Sequence, residues 1–158
     1  MSGSDRFLDE AIDLALDNIR QGGRPFGAVV VKDGVVIARA ANRMQADSDP
    51  TAHAELLALR AAGKALGSPR LDGCSVYASG QPCPMCMAAM RMSDIGDITF
   101  AYSDEQAEPF GLSTAAIAAE LAKPYDQQAG LSLKHQPQEV TEDGHLYRIW
   151  QRQAGSAD

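Results

Sequence analysis

The sequence predicts an α/β fold, a three-layer α/β/α sandwich built on a mixed five-stranded sheet. Three observations predict it. An amphipathic helix and a hairpin of apolar strands open the chain, and strand-like and helix-like stretches then alternate. No internal repeat, low-complexity tract or linker interrupts that order. At 158 residues, with 45% apolar and 22% charged content, the chain is expected to form one domain with its own core.

Residues 5–21 read as the opening helix. Phe7, Leu8, Ala11, Ile12, Ala15, Leu16 and Ile19 recur at helical spacing, and Gly22-Gly23 ends the run. Residues 26–31 and 35–41 read as antiparallel strands around the turn signal Lys32-Asp33-Gly34. The first is apolar throughout, which predicts a central strand covered on both faces. A polar loop follows from Asn42 to Pro50. A second helix is expected from about Thr51 to Ala65, broken by Gly67-Ser68-Pro69. Residues 74–79 form the third strand, 84–92 the third helix and 97–101 the fourth strand. A helix over 113–121 ends before Pro124. In the tail, an extended piece at 131–134 supplies the fifth strand, and a last helix is expected from Glu142 to about Arg152.

No apolar run reaches ~18 residues, so no membrane span is expected. Met1 to Arg6 carries neither a basic head nor an apolar stretch, so no secretory signal is expected either. The three cysteines cannot all pair within one chain, and two stand at metal-ligand spacing, which favours a reducing cytoplasm. A net charge of −7 repels phosphate backbones and argues against extended nucleic acid as partner. A small substrate fits that balance better.

Two stretches carry the chemistry: Thr51-Ala52-His53-Ala54-Glu55 and Gln81-Pro82-Cys83-Pro84-Met85-Cys86. One imidazole and two thiols form a ligand set suited to tetrahedral zinc, with the fourth position left for water. Cys83 and Cys86, at i and i+3, share one side of a helix's first turn. His53 and Glu55 would point about 200° apart in mid-helix. They converge only on a metal placed beyond the helix N-terminus. Pro50, Pro82 and Pro84 put helix starts where that geometry needs them. Glu55 is then the candidate proton carrier. His-x-Glu followed by Pro-Cys-x-x-Cys is the zinc deaminase signature. The competing reading is a closed structural zinc, with Cys74, His135 or His145 as fourth ligand.

At these residues the chain resembles the cytidine deaminase-like superfamily, and within it the bacterial guanine deaminases and their nucleobase deaminase relatives. The resemblance covers roughly residues 7–122 and includes Pro25-Phe26-Gly27-Ala28-Val29-Val30-Val31-Lys32-Asp33-Gly34 and Asp49-Pro50. It implies zinc on His53, Cys83 and Cys86, proton transfer by Glu55, and a homodimer. It further implies that Asn42 hydrogen-bonds the ring, that Phe26 lines the base pocket, and that the Ala54 backbone meets the base edge. Gln106 falls where guanine deaminases place an acid for the purine amide edge, with Asp104, Glu105 and Glu108 nearby. Gln81 stands where a glutamate is common, and Met92 where an aromatic is. The segment from about 140 to 158 corresponds to one that swaps between subunits. Guanine is the expected substrate; other amino-heterocycles or nucleosides, the wobble adenosine of tRNA and a non-catalytic zinc module are the alternatives.

Overall fold

The computed structural model describes residues 3–140 and 145–155. Two compact units divide the chain, residues 1–123 and 124–158. In the first, helix α1 (Gly3–Arg20) precedes strands β1 (Gly27–Lys32) and β2 (Val35–Ala41). Helix α2 (Ala54–Leu66), strand β3 (Cys74–Gly80), helix α3 (Pro84–Met92) and strand β4 (Asp97–Tyr102) follow. The short helix α4 (Asp104–Ala107), a 3-10 turn (Glu108–Phe110) and helix α5 (Ala115–Leu121) complete it.

The strand order is β2-β1-β3-β4. β1 runs antiparallel to both β2 and β3, and β3 runs parallel to β4, so the sheet is mixed. β1 is central and buried on both faces, as its unbroken apolar run implies. Alternation along it sorts two cores. Val29 and Val31 meet Phe7 and Leu14 of α1 together with Tyr77. Ala28 and Val30 meet Ala54, Ala58 and Leu59 of α2, and Met90 of α3, on the other face. Three layers result. Gly27 lets α1 approach closely: a Cβ there would collide with the Ala11 carbonyl oxygen and stand 2.7 Å from Leu14 Cβ.

The described sheet has four strands, not the expected five. Residues 131–134 lie in the second unit without regular secondary structure. Leu131 and Leu133 alternate as a strand would, yet both are exposed, and two apolar side chains bury too little to offset ordering the backbone. The second unit holds a 3-10 turn (Tyr125–Gln127) and helix α6 (Leu146–Ala154). Its start at Leu146 is later than the expected Glu142, which lies outside the described residues. The second helix also starts later than Thr51. Asp49 accepts from the Thr51 backbone N–H at 2.8 Å and from its hydroxyl at 2.7 Å, holding residues 49–51 in a turn.

Candidate metal and catalytic site

Strand register brings the candidate residues to one end of the sheet. Gly27 pairs with Ala41 and Ala28 with Ala78, so Phe26, Asn42 and Gly80 emerge together. The Asn42 backbone N–H donates to the Phe26 carbonyl at 3.0 Å. β3 ends there, as parallel strands of open α/β sheets end at their ligand sites.

His53 and Cys83 are the N-caps of α2 and α3, both in extended backbone. Pro84, at the first turn of α3, cannot donate a hydrogen bond and has φ preset for a helix start. Two helix N-termini therefore flank the cluster and favour thiolate charge there. His53 Nδ1 lies 3.4 Å from Cys83 Sγ and 3.6 Å from Cys86 Sγ. The three ligand atoms all lie within 4.8 Å of one another. Tetrahedral zinc with ordinary Zn–S and Zn–N bonds sets an N···S edge of about 3.6 Å. The cluster matches a zinc site in donor type and in spacing.

Glu55 occupies the first turn of α2, 6% exposed, and its Oε2 accepts from the Cys86 thiol at 3.6 Å. Burial pushes its carboxyl above the ordinary glutamate range. Cys83 is held down to about 4, first by its hydrogen bond with Cys86 and then by His53. Cys86 is pushed up because its proton serves Cys83, and burial adds to this. His53 is raised by its bond to Cys83. A cluster that shares protons in this way is one a divalent cation can enter by displacing them.

Cys74 opens β3, whereas the cluster lies past the far end of that strand, roughly 20 Å of extended chain away. Among the described residues only His53, Cys83 and Cys86 form a ligand group of this kind. His135 and His145 belong to the second unit.

The other predicted residues sit as follows. Asn42 is buried just past the end of β2, and its Oδ1 accepts from the Met44 backbone N–H at 3.1 Å. Phe26 packs on Gly80, where a Cβ would stand 3.2 Å from the ring. Ala54 is buried at the first position of α2, where backbone N–H groups lack helical partners. Gln106 closes a capping box: its Oε1 accepts from the Ser103 N–H at 2.9 Å, and Ser103 Oγ accepts from the Gln106 N–H at 3.3 Å. Its acceptor is therefore already used. Met92 is 87% exposed at the end of α3.

Two features escaped the sequence reading. Gln81 Oε1 accepts from the Asp104 N–H at 2.9 Å, and Asp104 Oδ1 accepts from the Thr114 N–H at 3.1 Å. That chain ties the loop before Cys83 to the start of α5. Arg24 lies near enough to His53 to oppose its protonation. Its position between Gly23 and Pro25, just before Phe26, was the available signal.

Two thiols and one imidazole on convergent helix starts, with a carboxyl buried beside them, define a zinc-dependent hydrolytic centre. The chain belongs to the cytidine and deoxycytidylate deaminase zinc-binding family, whose region matches residues 1–102. Members of that family are hydrolases acting on C–N bonds, and this chain has their α/β fold and zinc site. It is similar to the guanine deaminase of Bacillus subtilis, at 41% identity over 77% of this chain and 79% of that protein. The crystal structure of the Bacillus subtilis guanine deaminase superposes with a TM-score of 0.75, covering 98% of this chain and 94% of the other at 34% identity. A tRNA-specific adenosine deaminase of Aquifex aeolicus is 38% identical over 66% of this chain and 69% of its own. A structure solved in complex with 2,6-diaminopurine matches with a TM-score of 0.67 at 29% identity, covering 70% of this chain and 62% of that one.

Proposed function

We propose that this protein deaminates a free amino-substituted nucleobase, guanine before others, to the carbonyl product and ammonia. One observation carries the choice of branch. By sequence, likeness to a guanine deaminase covers 77% of this chain against 66% for a tRNA-specific adenosine deaminase; by structure, the shares are 98% and 65%. The charge of −7 adds weight against a tRNA substrate.

In this reading His53, Cys83 and Cys86 hold zinc, which supplies the Lewis acidity that makes water nucleophilic near neutral pH. Glu55 accepts the first proton released from water and delivers it to the ring nitrogen beside the amino-bearing carbon; it then takes the remaining proton of the added hydroxyl and passes it to the departing amine, so the carbonyl forms as ammonia leaves. Its raised pKa suits a group that must both take and give a proton. Asn42 donates to the ring through the NH2 that its bond to Met44 leaves available. Phe26 forms one wall, and the Ala54 N–H meets the base edge. The Gln106 carbonyl is engaged by the Ser103 N–H, while its NH2 still offers donors; Gln106, or Asp104, Glu105 or Glu108, is assigned to the amide edge.

No described helix is long and apolar enough to cross a membrane. The free thiols of Cys74, Cys83 and Cys86 suit a cytoplasmic setting. We read the protein as a single-domain homodimer whose segment from about 140 to 158 exchanges between subunits. The exposed Leu146, Tyr147 and Trp150 of α6 support a covered helix in the assembly. Ammonia release from guanine, with no release from tRNA, tests the substrate class. Release from tRNA alone would transfer the assignment to the adenosine branch.

A further inference from the structure

Beside Asn42 the structure has a cavity of about 370 Å³, between the turn that follows α1 and the loop that follows β2. Its polar lining is Asn18, Gln21, Arg24, Asn42, Arg43 and Gln45. Most of these groups are committed. Asn18 Nδ2 bridges the two walls, donating to the Arg24 carbonyl at 2.7 Å and the Asn42 carbonyl at 3.0 Å. The Arg43 guanidinium is held by Asp47 in two bonds, of 2.8 and 3.0 Å, and its backbone N–H donates to the Ala52 carbonyl. Asn42 Oδ1 is taken by Met44.

The Arg24 side chain is different. Among the described residues it makes no hydrogen bond or ion pair. Arg43 and Asp47 cancel, so Arg24 is the unmatched charge of this cavity, in a chain whose overall charge is −7. The cavity adjoins the candidate site. Asn42 forms part of its wall, and the Arg43 backbone N–H is bonded to Ala52, the residue before His53.

We propose that this cavity is a subsite for an anionic substituent, a phosphate or a carboxylate, carried on the heterocycle, with Arg24 as the cation that recognises it. The inference rests on the deaminase reading above and narrows its substrate class. A guanidinium presents paired donors to either anion, and a polar pocket of this size is in the range of small-molecule sites. Asn18 ties the two walls together through the Arg24 and Asn42 carbonyls.

The test uses zinc-loaded protein and matched ligand pairs. Guanosine 5′-monophosphate against guanosine probes phosphate, and 9-carboxymethylguanine against 9-ethylguanine probes carboxylate. Affinity is measured by calorimetry in Glu55→Gln, where no turnover intervenes, and kcat/KM in the wild type. At least one anionic member should exceed its neutral partner tenfold or more. The ratio should fall toward one in Arg24→Ala and be largely kept in Arg24→Lys. A ratio near or below one in both pairs overturns the subsite, as does a ratio unchanged in Arg24→Ala, or no binding of any member. If free guanine and every pair resist deamination, the deaminase reading fails instead, and the calorimetric ratios still decide the subsite.

Discussion

Replacing Glu55 by Gln separates chemistry from architecture at this site. The side chain is 6% exposed and lies 3.6 Å from Cys86 Sγ, so an amide of the same size keeps the packing and the zinc ligands in place. What it loses is the proton carrier. General acid–base catalysis commonly contributes ~10²–10⁴-fold. Glu55 is assigned to every proton transfer in the cycle, which places the expected loss at the upper end, ~10⁴-fold, or about 5.4 kcal/mol. Stability should move the other way in the zinc-free protein. Burial raises the folded pKa of Glu55 above its unfolded value. Between those two values the unfolded state loses its proton first, so stability falls as pH rises through that window and stays lower above it. Glu55→Gln removes this burden. Its melting temperature at pH 7 should equal or exceed that of the wild type, and the advantage should vanish below the unfolded glutamate pKa of about 4.3. Steady-state ammonia release, bound zinc and melting curves at both pH values form the assay. Turnover within tenfold of the wild type, with zinc retained, would remove Glu55 from the mechanism.

Five further substitutions test the framework. Cys83→Ala and Cys86→Ala should each abolish stoichiometric zinc, whereas Cys74→Ala should keep it; equal loss in all three, by metal analysis, would mean a closed structural site that includes Cys74. Gly27→Ala forces a methyl group against the backbone of α1, and overpacking of this kind costs ~1–3 kcal/mol, read as a lower denaturant midpoint. A midpoint unchanged in Gly27→Ala would refute the close approach of α1 to β1. Gln81→Leu removes the acceptor for the Asp104 N–H. Backbone hydrogen exchange over 103–114 should quicken while the Cys83–Cys86 segment keeps its zinc; unchanged exchange would show that the tether does not hold that segment.

The features legible in the sequence were those that local pattern dictates. The apolar run of β1 announced a central strand because both of its faces are covered. The i, i+3 thiols and the flanking prolines announced convergent helix starts because their spacing admits few geometries. The tail was less legible. Leu131 and Leu133 carry strand periodicity, but periodicity reports what a segment would bury, not whether a neighbour exists to bury it. The Gln81–Asp104–Thr114 chain spans 34 residues, and Arg24 and Asn42 line one cavity because β1 pairs with β2. Contacts of that kind are set by tertiary register, which no local window contains. Gln106 could be placed near the site by resemblance, but its commitment to Ser103 depends on α4, a helix of four residues that is too short for a periodic signal.

The central claim is hydrolytic deamination of a free nucleobase at a zinc centre built from His53, Cys83 and Cys86. Its most direct test is ammonia release by the zinc-loaded protein from guanine, isoguanine, cytosine, adenine, aminotriazines and the corresponding nucleosides, with tRNA in parallel. Guanine should give the highest kcat/KM, and tRNA should give no product. If another heterocycle exceeds guanine more than a hundredfold, the guanine assignment falls and the deaminase stands. If zinc-loaded protein releases no ammonia from any of them, the central claim is contradicted.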